Sequence, residues 1–139
     1  MGDTRQVIQT YIEHFENKRY VEALSMLNED GRYILIGRTP ASGVYEGRKD
    51  MFDRFVPILG AFKEAPTLTF SDVIVEGNKG VIRASGKGLG NFGTYEQPYF
   101  LWFVQVENGG FSEICEYIDT VELETAVFGK KLIEPNSTE

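Results

Sequence analysis

The stretch YEQPYFLWFVQV (Tyr95–Val106) constrains this chain more than any other. Read as a strand, it points Phe100, Trp102 and Val104 one way and Tyr99, Leu101 and Phe103 the other. A strand that is apolar on both faces needs both faces covered. Helices can cover one. A second copy of the chain is an economical cover for the other, so a homodimer is expected.

Upstream, the pattern is mostly helical. After Asp3 or Thr4 as candidate N-cap, Val7, Ile8, Tyr11, Ile12 and Phe15 recur at helical spacing. The pattern breaks near Asn17 and Lys18, and a second short helix would use Val21, Leu24 and Leu27. RYILIG (Arg32–Gly37) reads as a strand and RTPASGVYEG as a loop. RKDMFDRFVPILGAF returns to helical spacing, with Pro57 kinking or interrupting it. From Thr67 the period becomes two, with Leu68, Phe70 and Ile74 alternating against Thr67, Thr69 and Ser71. The turns EGNKG and ENGG and a Gly-rich loop divide the remainder into hairpins, ending in FSEICEYIDTVEL. Helices, a strand, a helix and four antiparallel strands predict an α+β domain. At 139 residues one domain is expected, over residues 1–133, with a short helix within residues 124–132 and a disordered tail at 134–139.

Composition narrows the partners. A net charge of −7, with no basic run, argues against nucleic acid or an anionic membrane as a partner. Cys115 is the single cysteine, so no internal disulfide forms, and with His14 as the single histidine the usual zinc clusters are excluded. Neither a metal nor an organic cofactor is expected. The charged, periodic N-terminus is unlike a signal peptide and no apolar run approaches membrane-spanning length, which points to the cytoplasm. GLGNFG (Gly88–Gly93) matches a dinucleotide-binding fingerprint literally, but it links two strands and no helix follows, so it reads as a hairpin loop. The sequon NST (Asn136–Thr138) is set aside because no export signal accompanies it.

One segment raises a chemical question. In EICEYIDT (Glu113–Thr120), simple alternation puts Asp119 on a face with Cys115, Tyr117 and Val121. A buried aspartate needs a partner or a job. Arg83, which follows Val81 and Ile82, is the candidate partner, whereas Lys87 reads as solvated. His14 shares a helix face with Tyr11 and is more often a packing residue in such a place; Cys115 reads as a small core residue.

VIQTYIEHF, GRTPASGVYEG, YEQPYFLWFVQVENGG and EICEYIDT, in that order, resemble the nuclear transport factor 2-like superfamily over about Arg5–Gly129. Within it the chain is most similar to the SnoaL-like and ketosteroid isomerase-like group. The resemblance implies a cone-shaped α+β barrel: a strongly bent, mostly antiparallel sheet wraps N-terminal helices and encloses an apolar pocket. Many such proteins dimerise through the outer sheet face. Tyr11 falls at the oxyanion-hole tyrosine of the steroid isomerases, while Leu35 and Phe100 stand where those enzymes carry their two aspartates. Tyr33, Arg83 and Asp119 match pocket positions of limonene epoxide hydrolase, with Leu35 and Ser85 replacing its asparagine and middle aspartate. The SnoaL-like cyclases resemble this chain at Asp119, the position of their acid/base aspartate.

What the resemblance implies is a cofactor-independent enzyme, of isomerase, cyclase or hydrolase type, that transfers protons on a largely apolar small molecule. Asp119 would be the acid/base, Arg83 its charge partner, and Tyr11 or Tyr33 a hydrogen-bond donor to a substrate oxygen. His14, Leu35, Phe55, Phe100, Trp102 and Tyr117 would form the substrate wall, and Val127 and Phe128 would close its mouth. The alternative is a dimeric ligand-binding module of the same fold, without chemistry.

Overall fold

The N-terminal helical pattern becomes α1 (Asp3–Glu16) in a computed structural model that describes residues 3–136. Val7, Ile8, Tyr11, Ile12 and Phe15 are all buried, as their spacing predicts. Both candidate caps already lie inside the helix, and Thr4 is buried. The helix stops at the expected place, where Lys18 adopts a positive φ of 58°. The second helix, α2 (Tyr20–Leu24), buries Ala23 and Leu24 but leaves Val21 exposed, and Leu27 opens a strand instead.

That strand, β1 (Leu27–Leu35), pairs antiparallel with β2 (Gly43–Glu46), which lies inside the segment read as loop. Four residues with only Tyr45 buried are too few to show a period. The next helix, α3 (Arg48–Arg54), gives way to a 3₁₀ segment (Val56–Ala61), with Pro57 at its start. Then come β3 (Phe62–Glu76), β4 (Lys79–Gly90), β5 (Gly93–Glu107) and β6 (Gly110–Tyr117). GLGNFG is indeed a hairpin, with Gly90 paired to Gly93. At ENGG, Asn108 and Gly109 both take positive φ, the signature of a tight hairpin turn. The sheet order is β2-β1-β6-β5-β4-β3, antiparallel except for β1 beside β6.

Past β6 a single turn, α4 (Thr120–Glu122), runs into a π-type turn (Leu123–Val127). Residues 130–136 are exposed and form no helix; residues 137–139, with the end of the sequon, lie outside the described residues. The π-type turn packs on the β4–β5 hairpin, where Phe92 N–H donates to the Ala126 carbonyl at 2.9 Å. A side chain at Gly90 would collide with that same carbonyl, so only glycine fits there.

Of the sheet's register irregularities, three bulges bear on the faces described below, because a one-residue shift exchanges the faces of a strand. In β3, Phe70 pairs with Ala84 but Asp72 with Arg83, so Ser71 is the extra residue. Leu68 and Phe70 face in before it, and Val73 and Val75 after it, which leaves Ile74 66% exposed against expectation. In β5, Phe100 pairs with Ala84 but Gln97 with Gly86, so the strand bulges at Pro98–Tyr99. Proline tolerates this place because a bulge frees it from donating to the ladder. In β6, Phe111 pairs with Val106 but Glu113 with Gln105, so Ser112 is extra. These bulges bend the sheet around α1. Two apolar clusters result, one around α1 and Trp102, the other around Tyr95, Leu123 and Val127.

Candidate functional site

Between the two clusters lies an apolar cavity with about 90 Å³ available to the centre of a water-sized sphere. That is several times what one water needs and suits a slim molecule. Leu35, Phe55 and Phe100 line it, and Trp102 stacks on Phe100 at a centroid distance of 4.6 Å. One carboxylate enters this wall: Glu116, on β6 opposite Trp102.

Glu116 is held from several sides. Tyr33, on the neighbouring β1, donates its hydroxyl to Glu116 Oε1. The Trp102 indole N–H stands close enough to favour the ionised form, though it makes no well-formed hydrogen bond. Glu116 is largely buried and lines the cavity. Burial therefore dominates and raises its pKa from 4.5 to about 7, against the lowering effect of Tyr33 and Trp102. Burial, reinforced by the Glu116 charge, also raises Tyr11 and Tyr33 well above the usual tyrosine range, so both remain protonated donors. The Tyr11 hydroxyl and Trp102 Nε1 are buried with no acceptor. Two orphaned donors beside one acid are the pattern a ligand oxygen would satisfy.

The structure brings together Tyr33, Leu35, Phe55, Phe100 and Trp102 of the anticipated residues, with Tyr11 packed edge-on against Trp102. It sends four others elsewhere. Asp119 lies beyond the end of β6, exposed, and caps α4 by accepting the Val121 N–H at 3.0 Å. Tyr117 is 43% exposed and pairs with Leu101 on the outer face. Arg83, also on the outer face, pairs with Asp72 at 2.6 Å and meets no acid of the cavity. His14 Nδ1 accepts from Arg19 Nε at 3.0 Å and does not line the cavity. Of the two residues expected at the mouth, neither reaches the cavity; Leu123, from the same turn, does.

The physical reason for the Asp119 and Tyr117 corrections is the bulge at Ser112. Unbroken alternation from Phe111 runs inward through Cys115, Tyr117 and Asp119. The extra residue hands the inward face to Ile114, Glu116 and Ile118 instead. Glu116, three residues before Asp119 in the same eight-residue segment, thus takes the inward place that simple alternation gave to Asp119's face. Among the described residues, no three His, Cys, Asp or Glu side chains gather as a metal site would require, and no helix is long and apolar enough to cross a membrane.

No family model matches the sequence, and no curated protein matches it significantly. Solved structures do. An NTF2-like protein of unknown function from Burkholderia pseudomallei is 17% identical, with a TM-score of 0.77 over 91% of this chain and 98% of that one. A protein described as a SnoaL-like polyketide cyclase, from Jannaschia, is 12% identical, with a TM-score of 0.73 over 94% of each chain. A protein described as an isomerase, from Bacillus subtilis, is 13% identical, with a TM-score of 0.72 over 95% of this chain and 97% of that one. At such identities the likeness is one of architecture, and the bent sheet wrapped on α1 is the nuclear transport factor 2-like fold, shared with SnoaL-like proteins.

Proposed function

We propose that this protein is a cofactor-independent isomerase-type enzyme that moves a proton on a slim, mostly apolar carbonyl compound, with Glu116 as the acid/base in the place first assigned to Asp119. The observation that carries this reading is a cavity-facing carboxyl with a pKa near 7, set beside buried donors that lack acceptors. At neutral pH such a group is divided between base and acid, which suits it to both halves of a proton shuttle. As carboxylate, Glu116 would take a proton from carbon next to the carbonyl. The electrons of the broken C–H bond move onto the carbonyl oxygen, where the free indole hydrogen of Trp102, which lines the cavity, stabilises the enolate; Tyr11, packed edge-on behind Trp102, does not line the cavity. The same carboxyl then returns the proton to another carbon, leaving no net change in protons.

One acid is enough for this cycle. Hydration of an epoxide by paired acids and an arginine fits less well, because Arg83 is on the other face and Glu116 is the one carboxylate among the lining residues. That same solitude favours the second reading, a pocket that binds without reacting. Turnover separates the two: Glu116→Gln abolishes it in an enzyme, with the fold retained. Full activity in that variant would overturn the assignment.

A further inference from the structure

Two buried polar side chains, Tyr95 and Gln97, take no part in the proton shuttle. Both lie on β5 beyond the Pro98–Tyr99 bulge from Trp102, and both are turned inward, Gln97 being 0% and Tyr95 2% exposed. Tyr95 lines the cavity and packs edge-on to Phe62 at 5.0 Å.

The hydrogen bonds assign every atom of the Gln97 amide. Its Oε1 accepts the Asp119 N–H at 2.9 Å, so the other end is the NH₂ group. That group donates to the Asp119 carbonyl at 3.0 Å and to the Tyr95 hydroxyl oxygen at 2.9 Å, which uses both of its hydrogens. Gln97 therefore serves first as a bridge where β5 and β6 part, beyond the pairing of Leu101 with Tyr117. It also fixes the Tyr95 hydroxyl as an acceptor, and the hydroxyl proton meets no acceptor among the described residues. Tyr33, which donates to Glu116, and Trp102 belong to one core cluster and Tyr95 to the other, and the Glu116 charge reaches Tyr95, adding to burial in raising its pKa.

We propose that Tyr95 is a second ligand-contacting residue: oriented by Gln97, its hydroxyl donates to an acceptor oxygen of the ligand. The ligand class is then a slim, mostly apolar compound with two oxygen functions, one met by Glu116 and its neighbours and one by Tyr95. This rests on the cavity being the small-molecule site of Glu116.

The test uses two phenols of similar size and acidity, 4-hydroxyphenylacetone and 4-isobutylphenol, at pH 8. Both offer a phenol to the Glu116 carboxylate, and only the first offers a carbonyl to Tyr95. Binding is read from the indole N–H resonance of Trp102, the single tryptophan. The wild type binds the ketone roughly three- to tenfold more tightly, the worth of one neutral hydrogen bond. Tyr95→Phe reduces that ratio to about one. Gln97→Glu does the same, because its carboxylate would draw the Tyr95 proton away; loss of the Gln97 bridge alone would weaken both ligands equally. Retention of the preference in Tyr95→Phe overturns the proposal, as does failure of both phenols to shift the indole resonance. Glu116→Gln separates the two readings: it weakens both phenols and leaves their ratio intact, whereas no change in either affinity counts against the role of Glu116 alone.

Discussion

Glu116, the proposed acid/base, also destabilises the fold when it is ionised. Its pKa is about 7 in the folded chain against 4.5 as a free side chain, so the native state holds the proton more tightly than the unfolded one. The stability this contributes is complete below about pH 4.5 and is lost as pH rises through about 7. Over the whole shift it amounts to about 3 kcal/mol. Glu116→Gln, which keeps an acceptor for Tyr33, is therefore expected to be more stable than the wild type at pH 8 by up to that amount. The advantage disappears near pH 4.5, as chemical denaturation at the two pH values would show; an advantage independent of pH would contradict a desolvated carboxylate. In the proposed mechanism the same titration sets the rate. If proton abstraction limits turnover, kcat/KM rises with pH and levels off above about 7, with Glu116 ionised. A flat profile between pH 5 and 8 would remove Glu116 from that step.

At the scale of elements, the bulges deserve most of the credit for the site. The bulge at Ser112 turns Glu116 inward and leaves Asp119 to cap α4. Asparagine caps a helix about as well as aspartate, whereas alanine costs about 0.5–2 kcal/mol in a long helix and less in so short a one. Asp119→Asn is accordingly expected to keep both melting temperature and turnover, and Asp119→Ala to melt slightly lower while remaining active. Loss of activity in Asp119→Asn with an intact fold would restore the aspartate to the mechanism. The bulge at Pro98–Tyr99 does comparable work on β5, bringing Gln97 inside on a strand whose regular alternation would have left it out.

For the whole molecule, the outer sheet face is the open question of assembly. Tyr99 is 78% exposed, Tyr117 43% and Ile74 66%, around the half-buried Leu101 and Phe103. We propose that a second copy covers this face, as expected for the two-sided strand Tyr95–Val106. Sedimentation is expected to give a dimer, and Phe103→Asp, which places a charge at the centre of the patch, a monomer. A wild-type monomer at micromolar concentration would refute the pairing. Because Arg83 and Asp72 also sit on the outer face, their exposed ion pair belongs to this surface and not to the cavity.

Local periodicity determined a good deal by itself. The helical stripe Val7–Phe15, the halt near Lys18, the interruption at Pro57 and the hairpin turns at GLGNFG and ENGG all follow from nearest neighbours along the chain. The apolar wall was legible too, since Leu35, Phe55, Phe100 and Trp102 are too large and greasy to leave in water. Which carboxylate joins that wall was not. A strand alternates with period two, and a single extra residue reverses every side chain beyond it, so the identity of the buried acid depended on where the β5–β6 ladder slips. The raised pKa of Glu116 likewise comes from burial, against the opposing effect of Tyr33 on β1 and Trp102 on β5, residues far apart in the chain that only the bent, open sheet brings to one point.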